Sequence, residues 1–457
     1  MIATQTDLLR KYDVPGPRYT SYPVIVYWDE PVTTTDWIQS VAASLSANSE
    51  KTGAAIYIHI PFCRSLCTYC GCNSRITCNP FVGATYVETV LKEWENYRRA
   101  LQLSRPLRLT ELHLGGGTPT FLSADELDRL ITGILAHVEQ TSDAEYSIES
   151  DPRVTQKDQI EVLHRLGFRR LSLGIQDFDP RVQQAVNRIQ SEEQVRLVTE
   201  TARAIGFDSI NYDLIYGLPF QTRRSVEQTI TAVQRLRPDR IAFYSYAHVP
   251  WVKPGQRHFT EADLPVGDEK RALYELGRRL LEEAGYLEIG MDHFALENDS
   301  LCRAALGGTL HRNFMGYTSR SVSPLIGLGA SSISDSWDAF VQNEKQLETY
   351  EQRVHRGEIP VFRGHRLNHE DVILRRHILN LMTRFETHWN TPDLYLPYLE
   401  SIDAKLAEAK RDGLVRIEGR RCEITTSGKA FLRNICMAFD ARLARKAPET
   451  QIFSRTV

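Results

Sequence analysis

The sequence predicts an α/β protein: a parallel sheet of six strand–helix units curled into an incomplete, TIM-like (β/α)6 barrel. An N-terminal strap precedes it and a small, mostly helical, winged-helix-like domain follows. Three observations predict this. Six apolar, β-branched or aromatic runs alternate with amphipathic segments. The residues suited to chemistry recur at the C-terminal ends of those runs, the edge where barrel folds carry their sites. Four of the chain's eight cysteines, Cys63, Cys67, Cys70 and Cys72, stand within ten residues directly behind the first run.

Before the first strand comes "KYDVPGPRYTSYPVIVYW", rich in proline and tyrosine and expected to run as an extended strap. Its tyrosines Tyr12, Tyr19 and Tyr22 have two readings: a cover over the open side of a barrel, or simple docking of an N-terminal arm. The strand runs are "AIYIHI" from Ala55, "LTELHLGG" from Leu109, "EYSIES" from Glu145, "RRLSLGIQ" from Arg169, "SINYDLIYG" from Ser209 and "RIAFYSYAH" from Arg240. Between the first two, Val82, Tyr86, Val87, Val90, Leu91, Trp94 and Tyr97 recur at steps of three and four, one helical stripe. Asn79 and Pro80 suit its N-cap and first position. Repeated units of this kind imply parallel pairing with right-handed crossovers. An incomplete barrel is favoured over a closed one because a large ligand needs a lateral opening.

From about Pro250 the pattern becomes irregular. From Leu367 it turns helical, in "EDVILRRHILNLMTRF" and "YLESIDAKLAEAKRDG", and ends in a hairpin, "LVRIEGRRCEITTSGK", with Glu418-Gly419 as its turn. The expected domains are 1–50 (strap and helix), 51–365 (barrel with extension) and 366–457 (C-terminal domain). The helix–helix–hairpin order allows DNA binding, but residues of both signs decorate it, so a packing role is favoured. The formal net charge of −3 gives no general attraction to nucleic acid or anionic membrane. No apolar run approaches the roughly 18 residues of a spanning helix. "MIATQTDLLRKYD" lacks a secretory pattern, so a cytoplasmic location is expected, where clustered cysteines are more often metal or redox groups than disulfides.

Three readings compete for Cys63-x3-Cys67-x2-Cys70. Incidental thiols rarely fall at such spacing. Structural zinc usually takes two separated pairs, and here only His59 and Cys72 remain to complete a site compressed into one loop. An iron–sulfur cluster suits thiolates on a compact loop. Three cysteines at this spacing fit three corners of a 4Fe–4S cube and leave one iron open. Cys72 as fourth ligand would close it. Only Gly71 separates it from Cys70, so Cys72 is taken as a nearby non-ligand.

CxxxCxxC behind a strand, with Tyr69 before the third cysteine, resembles the signature of radical S-adenosylmethionine enzymes. "KYDVPGPRYTSYP", "IPFCRSLCTYCGCN", "GGGTPT", "SIESDPR", "GIQDF", "VNRIQ", "NYDLIYGLP", "IGMDHF", "LHRNFMGYT" and "RNICMAFD" follow in order from Lys11 to Asp440. Together they resemble the oxygen-independent coproporphyrinogen III oxidase family over nearly the whole chain.

The resemblance implies one 4Fe–4S cluster on Cys63, Cys67 and Cys70, and two S-adenosylmethionine molecules. Tyr57, Tyr69, Gly116, Glu149 and Ile333 would hold the first; Gly117, Thr118, Gln176, Arg188, Asp213 and Ala247 would line the second. The implied reaction converts the ring A and B propionates of coproporphyrinogen III to vinyl groups through a 5′-deoxyadenosyl radical, yielding protoporphyrinogen IX for haem biosynthesis. A low-potential electron donor such as flavodoxin or ferredoxin is implied, with a monomer as the working unit. Four substrate carboxylates call for basic anchors, with Arg18 and Arg312 as candidates. Where the family often has Gln after the Phe of RNF-x-GY, this chain has Met315, which cannot donate a hydrogen bond. The rival readings are a haem chaperone, a radical methyltransferase sharing the barrel, and a zinc-dependent nucleic-acid module.

Overall fold

The computed structural model describes residues 5–48, 53–103, 105–446, 448 and 452–456. The boundary expected between 50 and 51 falls among residues 49–52, outside the described residues. The molecule is α/β, with a large, mostly parallel sheet. All six expected runs are strands: β1 (Ala54–Ile60), β2 (Leu107–Gly116), β3 (Val138–Ser150), β4 (Arg170–Gln176), β5 (Ser209–Tyr216) and β6 (Arg240–Ser245). Each pairs in parallel with the next. Helices α1 (Val82–Leu101), α2 (Ala124–Leu135), α3 (Lys157–Arg165), α4 (Glu192–Ile205) and α5 (Arg223–Leu236) make the crossovers. Every β1 residue is buried except Tyr57, which is partly exposed, as expected for a strand covered on both faces.

α1 begins at Val82, not at Pro80. The Asn79 side chain accepts the Phe81 amide in a local turn instead of capping the helix. The stripe itself is as read: Tyr86, Val87, Val90, Trp94 and Tyr97 are fully buried, with Val82 and Leu91 packed at its margin.

The segment expected to be irregular instead extends the sheet at both edges. After α6 (Asp268–Glu283), β7 (Leu287–Glu288) and β8 (His293–Ala295) add antiparallel beyond β6. On the other side β9 (Leu325–Leu328) pairs in parallel with β1, followed by antiparallel β10 (Ile333–Asp335), β11 (Ala339–Asn343) and β12 (Val361–Arg366). The order among the described residues is β12-β11-β10-β9-β1-β2-β3-β4-β5-β6-β8-β7. Strands of two to six residues are too short to show an alternation, and β9 and β11 are buried throughout, so no polar face marks them.

A second apolar core joins the strap to the C-terminal segment. Tyr19 and Tyr22 are buried in it. Tyr19 Oη donates to Asp440 Oδ2 at 3.0 Å and Tyr12 Oη to Asp412 at 2.7 Å. The strap tyrosines therefore dock the arm, and Arg18 and Thr20 are the strap side chains that reach the cavity above β1. In the C-terminal segment, α7 (His369–Arg384) leads into a strand at Glu386–His388 that the sequence does not announce. The stretch read as a second long helix divides at Leu406 into Ile402–Lys405 and Ala407–Arg411. In the hairpin Glu418 pairs with Arg421, so the turn is Gly419-Arg420, one residue later than expected. Gly419 has φ +56°, the left-handed conformation that position requires. Helices α8 (Leu432–Ala438) and α9 (Ala441–Arg445) follow the hairpin. Among the described residues no helix is long and apolar enough to cross a membrane.

Candidate active site

The C-terminal ends of β1 to β6 open onto a cavity of about 700 Å³, lined by Cys63, Cys67, Cys70 and Cys72 on one side and by strand-end residues on the other. A neighbouring cavity of about 560 Å³ lies towards β8 and β10, and Arg18, Gly71, Glu149 and Tyr244 line both. Both sizes suit small-molecule ligands.

The cysteine loop leaves β1 through a short strand, Phe62–Cys63, paired in parallel with Arg75–Ile76. His59 ties down its return: Nε2 donates to the Asn73 carbonyl at 2.9 Å while Nδ1 accepts from Tyr57 Oη at 3.0 Å. Burial lowers the His59 pKa, consistent with a neutral ring. Cys63 Sγ lies 3.3 Å from Thr118 Oγ1. Arg153 and Arg188 direct N–H groups at Cys67 Sγ from 3.7 and 3.6 Å. Cys63 is pushed up to about 11, mainly by burial, and Cys70 down to about 6 by hydrogen bonding from Cys72. Among the described residues no three His, Cys, Asp or Glu side chains converge where a single ion could be held. The thiols stand around a space instead, with two guanidinium groups beside them. That arrangement fits a cluster whose corners lie apart and whose charge is negative, better than it fits one tetrahedral zinc.

The glycine triplet forms a cradle. A Cβ on Gly117 would lie 2.9 Å from the Pro61 and Phe62 carbonyl oxygens. Gly116 has φ +112° and would press a Cβ into the His59 ring. The Gly116 amide donates to Glu149 Oε2 at 3.0 Å, and His113 Nε2 lies 3.4 Å from Glu149 Oε1. Burial alone would raise the Glu149 pKa. The His113 hydrogen bond and charge and the Gly116 amide outweigh it, so the group is held below the usual carboxylate range. Ser150 Oγ beside it is buried with no hydrogen-bond partner, yet lines the cavity. A bare glycine wall, a held carboxylate and an unused hydroxyl fit a polar, amine- and hydroxyl-bearing ligand such as S-adenosylmethionine.

The structure brings all the expected residues to these two cavities. Cys63, Cys67, Cys70, Tyr69, Gly116, Gly117, Thr118, Gln176, Arg188, Asp213 and Ala247 line the larger one. Tyr57 and Ile333 line its neighbour, and Glu149 lines both. Gln176 takes a left-handed φ of +67°. Asp213 accepts from Ser172 Oγ and Asn211 Nδ2, and burial, with the Glu149 charge, raises it to about 6. Arg188 also has partners within the protein: Asp151 Oδ2 at 3.2 Å and the Gly174 carbonyl. Sequence reasoning missed Asp151, Arg153, His113 and the positioning role of His59. "SIESDPR" holds the first two, but only the fold shows that Arg153 reaches Cys67 and that Asp151 pairs with both Arg153 and Arg188.

A model of the Radical SAM superfamily matches residues 57–233. Over 463 residues the chain is 39% identical to the oxygen-independent coproporphyrinogen III oxidase of Pseudomonas aeruginosa, covering 100% of this chain and 99% of the relative. It is 39% identical to the Escherichia coli protein of the same name, covering 98% of each. The solved structure of the Escherichia coli coproporphyrinogen III oxidase, described as a radical SAM enzyme, superposes with a TM-score of 0.87 at 37% identity. The match covers 93% of this chain and 97% of that one.

Proposed function

The chain belongs to the oxygen-independent coproporphyrinogen III oxidases, and from that premise we propose how its two cavities serve the reaction. The protein is a radical SAM enzyme that oxidises coproporphyrinogen III without oxygen in haem biosynthesis. Ring A and B propionates become vinyl groups, with loss of two carbon dioxide molecules. The observation that carries the reading is the convergence of Cys63, Cys67 and Cys70 with the glycine cradle and Glu149 on one cavity at the strand ends.

Cys63, Cys67 and Cys70 would hold the 4Fe–4S cluster, with Cys72 outside its ligand set. When bound, the cluster and S-adenosylmethionine supply the electron and the hydrogen acceptor that C–H activation needs. The chain's own residues position and shield. Glu149, ionised and half-open, accepts hydrogen bonds from an ammonium or ribose hydroxyl. Tyr57, stacked on His113 at 5.8 Å, offers a flat face, and Tyr69 and Ile333 add apolar wall. Gly117, Thr118, Gln176, Arg188, Asp213 and Ala247 form a second wall that supports the reading of two S-adenosylmethionine molecules. Arg153 and Arg188 offset negative charge at Cys67.

The same reading takes the six parallel strands as an incomplete barrel, supported by a linear strand order whose two ends are unpaired among the described residues. It takes 366–457 as a winged-helix-like packing domain, supported by the core it shares with the strap. A monomer in the cytoplasm, fed by a flavodoxin or ferredoxin, completes it.

The test is anaerobic reconstitution with iron and sulfide, then incubation with coproporphyrinogen III, S-adenosylmethionine and a reductant. Protoporphyrinogen IX, carbon dioxide and 5′-deoxyadenosine are expected. Cleavage of S-adenosylmethionine without decarboxylation, a methylated product, or stable haem binding without turnover would overturn the assignment.

A further inference from the structure

Two motifs not yet given a role, "IGMDHF" and "LHRNFMGYT", meet on the wall of the second cavity. Arg312 lies on a two-stranded hairpin, His311–Asn313 against Gly316–Thr318, and pairs across it with Tyr317. Its guanidinium lies 4.5 Å from the Tyr317 ring centre. That ring is held in place: Tyr317 Oη donates to the Met382 carbonyl at 2.8 Å and accepts the Met291 amide at 3.3 Å. Gly290 leaves room for it, since a Cβ there would come within 2.4 Å of the ring. Arg312 is only 7% exposed, yet its Nε and Nη1 have no hydrogen-bond partner. A buried guanidinium with idle N–H groups carries a heavy desolvation cost that an anion would offset.

Beside it, His293 on β8 has Nδ1 2.6 Å from Asp292 Oδ1, and its ring packs edge-on against Tyr317 and Tyr244. Asp292 is held below the usual range: burial opposes this, but the charges of His293, Arg312 and Arg18 prevail. As a carboxylate it fixes the proton on Nδ1 and sets the direction of Nε2, which makes no hydrogen bond among the described residues. Arg312, His293 and Arg18 line the same cavity, and Cys63, Cys67 and Cys70 line the other.

We propose that Arg312, with His293 oriented by Asp292, forms an anchoring subsite for one substrate carboxylate, a propionate held away from the reacting centre. This rests on the substrate reading above and adds to it the residues that grip the macrocycle. Arg312 supplies the fixed charge and the N–H donors, and His293 Nε2 joins them as a donor when the ring carries a proton on both nitrogens. The Phe314-Met315 tip of the same hairpin, between Asn313 and Gly316, supplies apolar surface beside them. Met315 packs with Tyr57 against Ala55, Val322 and Leu325.

The test compares coproporphyrin III with its tetramethyl ester, binding each to the full-length protein by fluorescence titration. Wild type is expected to prefer the tetra-acid. Arg312→Met is expected to weaken tetra-acid binding by about tenfold or more, the scale of a charge-assisted hydrogen bond, and to leave the ester unchanged. Arg312→Lys should recover part of the loss, and His293→Gln should show a smaller, acid-selective loss. Because Nε and Nη1 bind no protein group, Arg312→Met orphans no partner there, and an unchanged near-ultraviolet circular dichroism spectrum checks the fold. Equal loss for acid and ester, or none for either, overturns the subsite. So does a wild type that does not discriminate between them. If wild type prefers the acid but the reconstituted enzyme makes no protoporphyrinogen, the subsite stands and the assigned reaction falls.

Discussion

A methyl group on Gly117 would sit against backbone carbonyls of Pro61 and Phe62 that have no side-chain freedom to yield. Gly117→Ala is therefore expected to displace the start of the cysteine loop, at a cost of about 1–3 kcal/mol, read as a lower unfolding midpoint together with reduced iron uptake. The cysteines divide more sharply. Cys63→Ala, Cys67→Ala and Cys70→Ala should each abolish S-adenosylmethionine cleavage and most bound iron. Cys72→Ala should keep iron content close to wild type by chemical assay, because Cys72 stands outside the ligand set and the variant keeps the Cys72 amide that donates to Cys70 Sγ. At this scale the sequence was highly legible. Cysteine spacing and the glycine triplet declare themselves because few other uses suit them. Arg153 and Asp151 did not, because a lone charged residue in a loop reads as solvated surface until its neighbours in space are known.

Among the elements, α7 carries a titrating group that couples it to its surroundings. His377 is fully buried, Nε2 donating to the Leu394 carbonyl and Nδ1 accepting from Thr387 Oγ1, both at 2.8 Å. Burial lowers its pKa to about 4. The unfolded chain takes up this proton near pH 6.5, and the folded chain refuses it until about 4. The contribution is present above pH 6.5 and is lost as pH falls towards 4, by about 3 kcal/mol over that window. His377→Gln should therefore lose less stability than wild type between pH 7 and pH 4.5, measured by thermal unfolding at the two pH values. An acid decline as steep as wild type's would contradict this. The long periodic elements, β1 to β6 and α1, were readable because each repeats its pattern several times. The short edge strands were not, since their formation depends on the partner strand rather than on local preference.

At the scale of the whole molecule, chain-distant segments are clamped to one another. Arg433 on α8 donates to the carbonyls of Pro17, Gly16 and Arg455, and Arg442 pairs with Asp371 and Asp29. The clamp delivers Arg18 to the cavity, where Nη2 meets the Ser245 carbonyl at the end of β6. Arg433→Met leaves those strap carbonyls without their donor. It should speed limited proteolysis within residues 13–24 and raise the KM for coproporphyrinogen III, with little change in iron content. A protease-resistant strap in that variant would show that the apolar core between strap and C-terminal segment suffices.

The sequence by itself determined the alternating architecture, the six parallel strands, the thiol loop and the family, because each is written in local period or in residue types with few alternative uses. Only the tertiary structure decided what the strap does, where the sheet continues beyond β6 and β1, and that Arg312, Asp292 and His293 share a wall. Those are matters of pairing and burial between segments far apart in the chain. The energy that selects them comes from surfaces that exist only after folding, so no local pattern records them.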